Sequence, residues 1–161
     1  MRFSLIDRIV QLQPESRIEA IKSLSLAEEY LADHFPRAPV MPGVMMLEAL
    51  TEACCWLVRA SSDFQHSVVV LKEARSVKYA NFVEPGKVLA ISAEWLSQDD
   101  RLTKFKAQGT IDGVVAVTAR LVIERYNLAN RLPGGAVTDQ YLTGRLRELF
   151  QILNRPETAA A

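Results

Sequence analysis

A histidine, a proline–glycine pair and a glutamate lie within one short stretch of this chain, His34-Phe35-Pro36-Arg37-Ala38-Pro39-Val40-Met41-Pro42-Gly43-Val44-Met45-Met46-Leu47-Glu48. An imidazole in water titrates near about 6.5, so a histidine offers a neutral base close to neutrality. A carboxylate set inside an apolar helix is desolvated, which favours its protonated, acidic form. Between the two, Pro42 suits the start of a helix. The first backbone N–H groups of that helix, at Gly43 and Val44, are unused by it and sit at the positive end of its dipole. Glycine at position 43 also lets a carbonyl come close to the backbone. A base, an acid and a pair of N–H donors are the parts needed to remove a proton beside a carbonyl and protonate a leaving group. Each part has a plainer reading: a structural histidine, a glutamate paired with arginine, and an ordinary helix start.

The elements that must position these groups can be read from pattern. Two prolines in His34–Pro39 fix φ and remove donors, which predicts a rigid extended loop. From Pro42 to about Arg59 the chain is apolar with helical spacing. Leu47, Leu50, Cys54, Leu57 and Val58 surround the helix, so it must be buried on nearly every side. Leu5–Leu12 suits a short amphipathic helix ending before Pro14, and Arg17–Leu24 suits a first strand. Val68-Val69-Val70-Leu71 is a continuous apolar run, as in a central strand. Lys87–Trp95 alternates, with Leu89, Ile91, Ala93 and Trp95 on one face. Leu102–Ile111 and Val114–Arg125 flank Asp112-Gly113, a two-residue hairpin signal, and Val115, Val117, Ala119, Leu121 and Ile123 share one side of the second strand. Leu132-Pro133-Gly134-Gly135 reads as a turn. Tyr141–Leu153 is an amphipathic helix with Leu142, Leu146, Leu149, Phe150 and Leu153 apolar, and residues 155–161 read as frayed. One long apolar helix followed by an antiparallel meander asks for a sheet curled around that helix.

Composition narrows the function classes. The chain has 161 residues, 49% of them hydrophobic, enough for one domain with a real core. Lys+Arg and Asp+Glu both number 19, which argues against a sequence-independent nucleic-acid binder. Cys54 and Cys55 are neighbours on a helix and point about 100° apart, so they suit buried thiols better than a mutual disulfide, and they match no metal-ligand spacing. Met1–Arg8 carries no apolar leader, and the apolar helix is shorter than the about 20 residues a membrane span needs. The expectation is a cytoplasmic protein with no membrane span and no metal. His66 stands in no such context and reads as a surface or strand-edge residue.

The stretch His-Phe-Pro-x-x-Pro-Val-Met-Pro-Gly-Val-x-x-x-Glu-Ala resembles the signature of the bacterial (3R)-3-hydroxyacyl-[acyl-carrier-protein] dehydratases of the FabZ and FabA type. Leu5-Ile6-Asp7-Arg8-Ile9, Lys72-Glu73-Ala74-Arg75, Phe82-Val83-Glu84-Pro85-Gly86, Leu102–Lys106 and Ile111-Asp112-Gly113 resemble further family segments in the same order. The resemblance covers about residues 5–125. It implies an α+β hotdog fold, in which a curved antiparallel sheet wraps one long central helix, here with an extra C-terminal helix. The division expected is a hotdog dehydratase-like domain over 1–127 and a linker with helical extension over 128–161.

The resemblance also implies a cofactor-free hydro-lyase that makes trans-2-enoyl thioesters in fatty-acid or related lipid biosynthesis. His34 would be the base and Glu48 the acid. Gly43 and Val44 would bind the thioester oxygen, and Phe35, Met45 and Met46, with Val44, would line the acyl tunnel. The implied partner is acyl carrier protein bearing a phosphopantetheine-linked chain, for which Arg37, Arg75 and Lys78 are candidate contacts. In the family the histidine meets a carboxylate of the other subunit, so the expected unit is a homodimer, with a trimer of dimers left open. Two residues depart from the pattern. Asp33 replaces a glycine before His34, where its carboxylate is expected to orient the ring or raise its pKa, or its side chain to narrow the entrance. Glu52 replaces a glutamine one turn after Glu48, and like charges at i,i+4 require one to be protonated or paired. Two rival functions remain: a thioesterase in which Glu48 or Glu52 activates water, and a non-catalytic acyl-thioester-binding subunit.

Overall fold

A computed structural model describes residues 4–155. Six strands form one antiparallel sheet: β1 (Arg8–Gln13), β2 (Arg17–Ser23), β3 (Val68–Tyr79), β4 (Val88–Gln98), β5 (Leu102–Ile111) and β6 (Val114–Tyr126). Their order across the sheet is β1-β2-β4-β5-β6-β3. Helix α1 (Gly43–Ser61) lies against β2, β3, β4, β5 and β6, so the sheet curls around it as the hotdog arrangement requires. Leu50, Ala53, Cys54, Leu57 and Val58 of α1 meet Leu89, Ile91, Ala93, Phe105, Val117, Leu121 and Ile123 of the sheet in one buried core. Each large side chain buried this way stabilises the fold by about 1.5–3 kcal/mol. A second helix, α2 (Gly135–Leu153), follows the sheet and starts earlier than its apolar pattern alone indicates.

The departures from the sequence reading come from sheet irregularities and from the edge of the sheet. Residues 8–13 form β1, not a helix. The register slips between Ile9 and Gln11, and this bulge turns a three-residue spacing of apolar side chains into a strand pattern, with Ile9 buried and Leu12 half-buried. A second bulge lies in β6, where Gly109 pairs with Val117 but Thr110 pairs with Val115. The extra residue, Ala116, is therefore buried beside Val117, and Val115 turns outward. Strand β3 is an edge strand within the chain, not a central one. Val70 and Leu71 are 41% and 36% exposed, and among the described residues no strand pairs with that edge. Asp112 and Gly113 both take positive φ, as a two-residue hairpin turn requires. Trp95 is half-buried and meets Phe105 edge-on.

Both cysteines are buried free thiols, and burial pushes the Cys55 thiol up to about 12. Among the described residues no helix is long and apolar enough to cross a membrane. The expected fraying after Arg155 falls outside the described residues.

Candidate functional site

The segment before α1 is a turn and not the extended loop its prolines suggest. Ala38 N–H donates to the Phe35 carbonyl at 2.8 Å, closing the turn around Pro36 and Arg37. Phe35 holds φ at 59°, a left-handed conformation that costs a non-glycine residue about 1–3 kcal/mol. Its ring lies 4.4 Å from the imidazole of His34, centroid to centroid. His34 Nδ1 is 2.8 Å from the carbonyl oxygen of Val40. A carbonyl only accepts, so Nδ1 carries the proton, and in the neutral ring Nε2 keeps its lone pair. The side chain of Asp33 is exposed, so Val40 rather than Asp33 orients the ring.

Met41 N–H donates to the Val83 carbonyl at 2.8 Å, which ties this segment to the loop after β3. Phe35, Pro36, Arg37, Val40, Phe82 and Glu84 line an open hollow of about 670 Å³. Pro42 is the N-cap of α1, and its carbonyl accepts from the N–H groups of Met45 and Met46. No side chain caps the helix, so the N–H groups of Gly43 and Val44 are left to other partners. A β-carbon at Gly43 would stand 3.1 Å from the ring of Tyr79, so the glycine lets β3 close down on the helix start.

Glu48 is half-buried one turn further along α1, and burial pushes its pKa up. Burial also raises Glu52, and the charge of Glu48 adds to that, while the N–H groups of Ile6 and Leu5 and the Arg59 guanidinium pull it down. Those two N–H groups donate to one Glu52 oxygen at 3.0 and 2.9 Å. Glu52 is thus the partnered member of the i,i+4 pair, and it fastens the segment leading into β1. Arg59 stacks 5.1 Å above the Trp56 ring and donates to the Val69 carbonyl, while its Nε is buried without a hydrogen-bond partner. Glu48, Glu52, Trp56 and Arg59 line a second hollow of about 400 Å³ with Leu71 of β3 and Leu146 and Leu149 of α2.

Within one chain, no hydrogen bond or common hollow joins His34 to Glu48 among the described residues. Val44 is 68% exposed at the helix start, Met45 is half-buried, and Met46 is buried in the core, lining neither hollow. Of the basic candidates, Arg37 is exposed beside Phe35, and Lys78 is exposed on β3. Arg75 is already paired with Glu73 through two hydrogen bonds of 2.6 and 2.7 Å. Sequence reasoning missed Tyr79 and Phe82, which no local spacing links to the His34 turn. It also missed Arg59 as part of the Glu48 surroundings, although 48, 52, 55 and 59 form a visible helical stripe. His66 is half-buried, with Nδ1 unpartnered. Burial and the Arg125 charge lower its pKa.

A helix cupped in a curled antiparallel sheet, with this motif at the helix start, defines a hotdog-fold protein. Solved structures share the architecture. A chain of the dehydratase heterocomplex ApeI:P from Xenorhabdus doucetiae superposes with a TM-score of 0.64 at 20% identity, over 77% of this chain and 84% of that one. The smu.793 protein of Streptococcus mutans UA159, solved bound to acetyl CoA, gives 0.58 at 12% identity, over 78% and 91%. The chain belongs to the FabA-like family, whose sequence model matches residues 1–120. Among curated relatives, the 3-hydroxyacyl-[acyl-carrier-protein] dehydratase FabZ of Ruminiclostridium cellulolyticum is 34% identical, over 74% of this chain and 84% of its own. The protein of the same name from Ralstonia nicotianae is 37% identical, over 73% and 74%.

Proposed function

We propose that this protein is a hydro-lyase that converts 3-hydroxyacyl thioesters, carried on acyl carrier protein, into trans-2-enoyl thioesters in fatty-acid or related lipid synthesis. The observation that carries the reading is the fixed imidazole of His34, with Nε2 free, beside the helix that bears a half-buried Glu48. Nε2 takes the proton from C2 of the thioester. The N–H groups of Gly43 and Val44 hold the enolate-like oxygen. The electron pair left on C2 forms the C2–C3 double bond as the C3–O bond breaks, and Glu48 gives its proton to the departing hydroxyl, which leaves as water. Passing the proton from the imidazolium to the glutamate resets the site. The steps are proton transfers and loss of the C3 hydroxyl as water, with no change of oxidation state, so the reading calls for no cofactor.

The catalytic unit in this reading is a homodimer, in which His34 of one chain works with Glu48 of its partner. Two observations favour it: the separation of His34 from the Glu48 hollow within one chain, and the uncovered apolar edge of β3, which is a ready surface for a second copy. Phe35, with Met45 beside the helix start, flanks the acyl entrance, and the exposed Arg37 of the turn and Lys78 of β3 are the contacts for an acidic carrier. Residues 128–161 form an extension to the dehydratase-like core of 1–127, and the protein works in the cytoplasm.

Product analysis on 3-hydroxyacyl carrier tests the reading. Enoyl thioester still joined to its carrier supports dehydration. Free carrier thiol would indicate the rival thioesterase, and tight binding without turnover would indicate a binding subunit.

A further inference from the structure

The hollow that holds Glu48 is lined in part by residues outside the matched domain. Glu48, Glu52, Trp56 and Arg59 line it from α1, Leu71 from β3, and Leu146 and Leu149 from α2. The family match ends at residue 120, and α2 begins at Gly135.

This wall is held in place. Asp139 accepts the N–H groups of Leu128 and Ala129 at 2.8 and 2.9 Å and the hydroxyl of Ser67. Arg147 pairs with Asp63 at 2.8 Å and lies over the ring of Phe64. Phe150 packs against Trp56 and Phe64, with centroids 6.1 and 5.4 Å away, and Leu153 is buried. These anchors bracket Leu146 and Leu149 on both sides, so the two leucines are fixed against α1.

We propose that α2 is the end wall of the acyl channel, and that Leu146 and Leu149 set the length of acyl chain the site accepts. The proposal rests on the dehydratase reading of Glu48. If Glu48 protonates the C3 hydroxyl, the carbons beyond C3 must run past it. The lining residues of α1 run from Glu48 to Arg59, about 16 Å at 1.5 Å per residue, and Leu146 and Leu149 of α2 face the same space. An apolar chain gains there by covering Leu71, Trp56 and the leucines, and it loses once it must displace them. A hollow of about 400 Å³ falls within the size range of small-molecule pockets.

The test is a ladder of 3-hydroxyacyl carrier substrates from four to twelve carbons, assayed on wild type, Leu146→Ala/Leu149→Ala and Leu149→Phe. A methylene in an apolar pocket is worth about tenfold or more in discrimination. The ratio of kcat/KM for the twelve-carbon to the four-carbon substrate is expected to rise at least about tenfold in the alanine double variant and to fall by a similar factor in Leu149→Phe. Calorimetry with acyl pantetheine thioesters lacking the 3-hydroxyl reads the same ladder as binding, without turnover. Unchanged ratios in folded variants overturn the proposal, and so does a uniform loss at every length. If the double variant fails to fold, Leu149→Phe and its binding ladder decide. A wild type that binds the ladder but dehydrates none of it overturns the dehydratase reading and leaves the wall to be judged by binding, whereas a wild type that binds none of it overturns both.

Discussion

His34 donates its Nδ1 proton to the Val40 carbonyl across 2.8 Å, and this bond decides which nitrogen of the ring is left for chemistry. The carbonyl belongs to the segment that leads into α1, so the base is held in register with the helix start. The Phe35 ring supports it from the side.

If Nε2 is the base, His34→Ala removes it while leaving the core untouched, since the ring lies on a partly exposed turn. Dehydration should fall by roughly two to four orders of magnitude, with the thermal melt close to that of wild type. Turnover near the wild-type rate would remove His34 from the mechanism.

Glu48→Gln keeps the volume of the side chain and loses the acidic proton. The reading expects kcat to fall by roughly two to four orders of magnitude and substrate affinity to change little. Steady-state kinetics on one substrate separates the two. A variant impaired in affinity alone would make Glu48 a positioning group.

The core and the motif were legible in the sequence because they depend on local signals. The long apolar helix, the Asp112-Gly113 hairpin and the alternation through Leu89, Ile91 and Ala93 appear as spacing, and the His34–Glu48 stretch stands out through its resemblance to the family signature. What was illegible depends on pairing between distant segments. The bulge at Ile9 makes β1 look like a helix, and the extra residue Ala116 turns Val115 outward. The Val70-Leu71 run looks central because its composition is apolar, and only the strand order shows that β3 stands at the edge of the sheet. Glu52 looked like a like-charge conflict with Glu48. Its resolution, the N–H groups of Leu5 and Ile6, lies far upstream in the chain.

Burial, opposed in part by that pairing, gives Glu52 a pH signature. Burial is the largest influence on Glu52 and raises its pKa above the ordinary 4.5. The folded chain therefore binds the proton more tightly than the unfolded chain does. The stabilisation is complete below about pH 4.5 and is lost as pH rises through the raised value. Glu52→Gln keeps an oxygen for the two N–H groups and removes the titration, so its melting temperature should decline less steeply above about pH 4.5. Glu48, also raised by burial, contributes in the same direction and remains, so some decline persists. Thermal melts across pH check this, and a variant with the wild-type slope would show that Glu52 does not titrate there.

The attachment of α2 turns on one close approach. A β-carbon at Gly135 would lie 2.5 Å from the Leu128 carbonyl carbon and 2.6 Å from the Ala129 nitrogen, both backbone atoms. Gly135→Ala must move the chain and should cost about 1–3 kcal/mol. Gly144, further along the same helix, meets nothing within 4 Å, and Gly144→Ala should stabilise by about 0.5–1 kcal/mol through helix propensity. Urea unfolding of the two variants reads both signs. Equal effects would mean that the close contact at Gly135 carries no constraint.

The shared site is the most exacting expectation, because it tests oligomer and mechanism together. If His34 of one chain works with Glu48 of its partner, a hybrid of a His34→Ala chain and a Glu48→Gln chain holds one intact site and one doubly damaged site. Random exchange of the two inactive homodimers makes about half the dimers hybrid, each with one good site of two, so activity should return to about a quarter of wild type in a symmetric dimer with independent sites. If each site instead lay within a single chain, every site in the mixture would carry one lesion and nothing would return. Differently tagged chains, recovered through one tag and probed for the other, establish that exchange has occurred. With exchange established, a mixture as inactive as its parents rules out the pairing of His34 with Glu48 across the dimer.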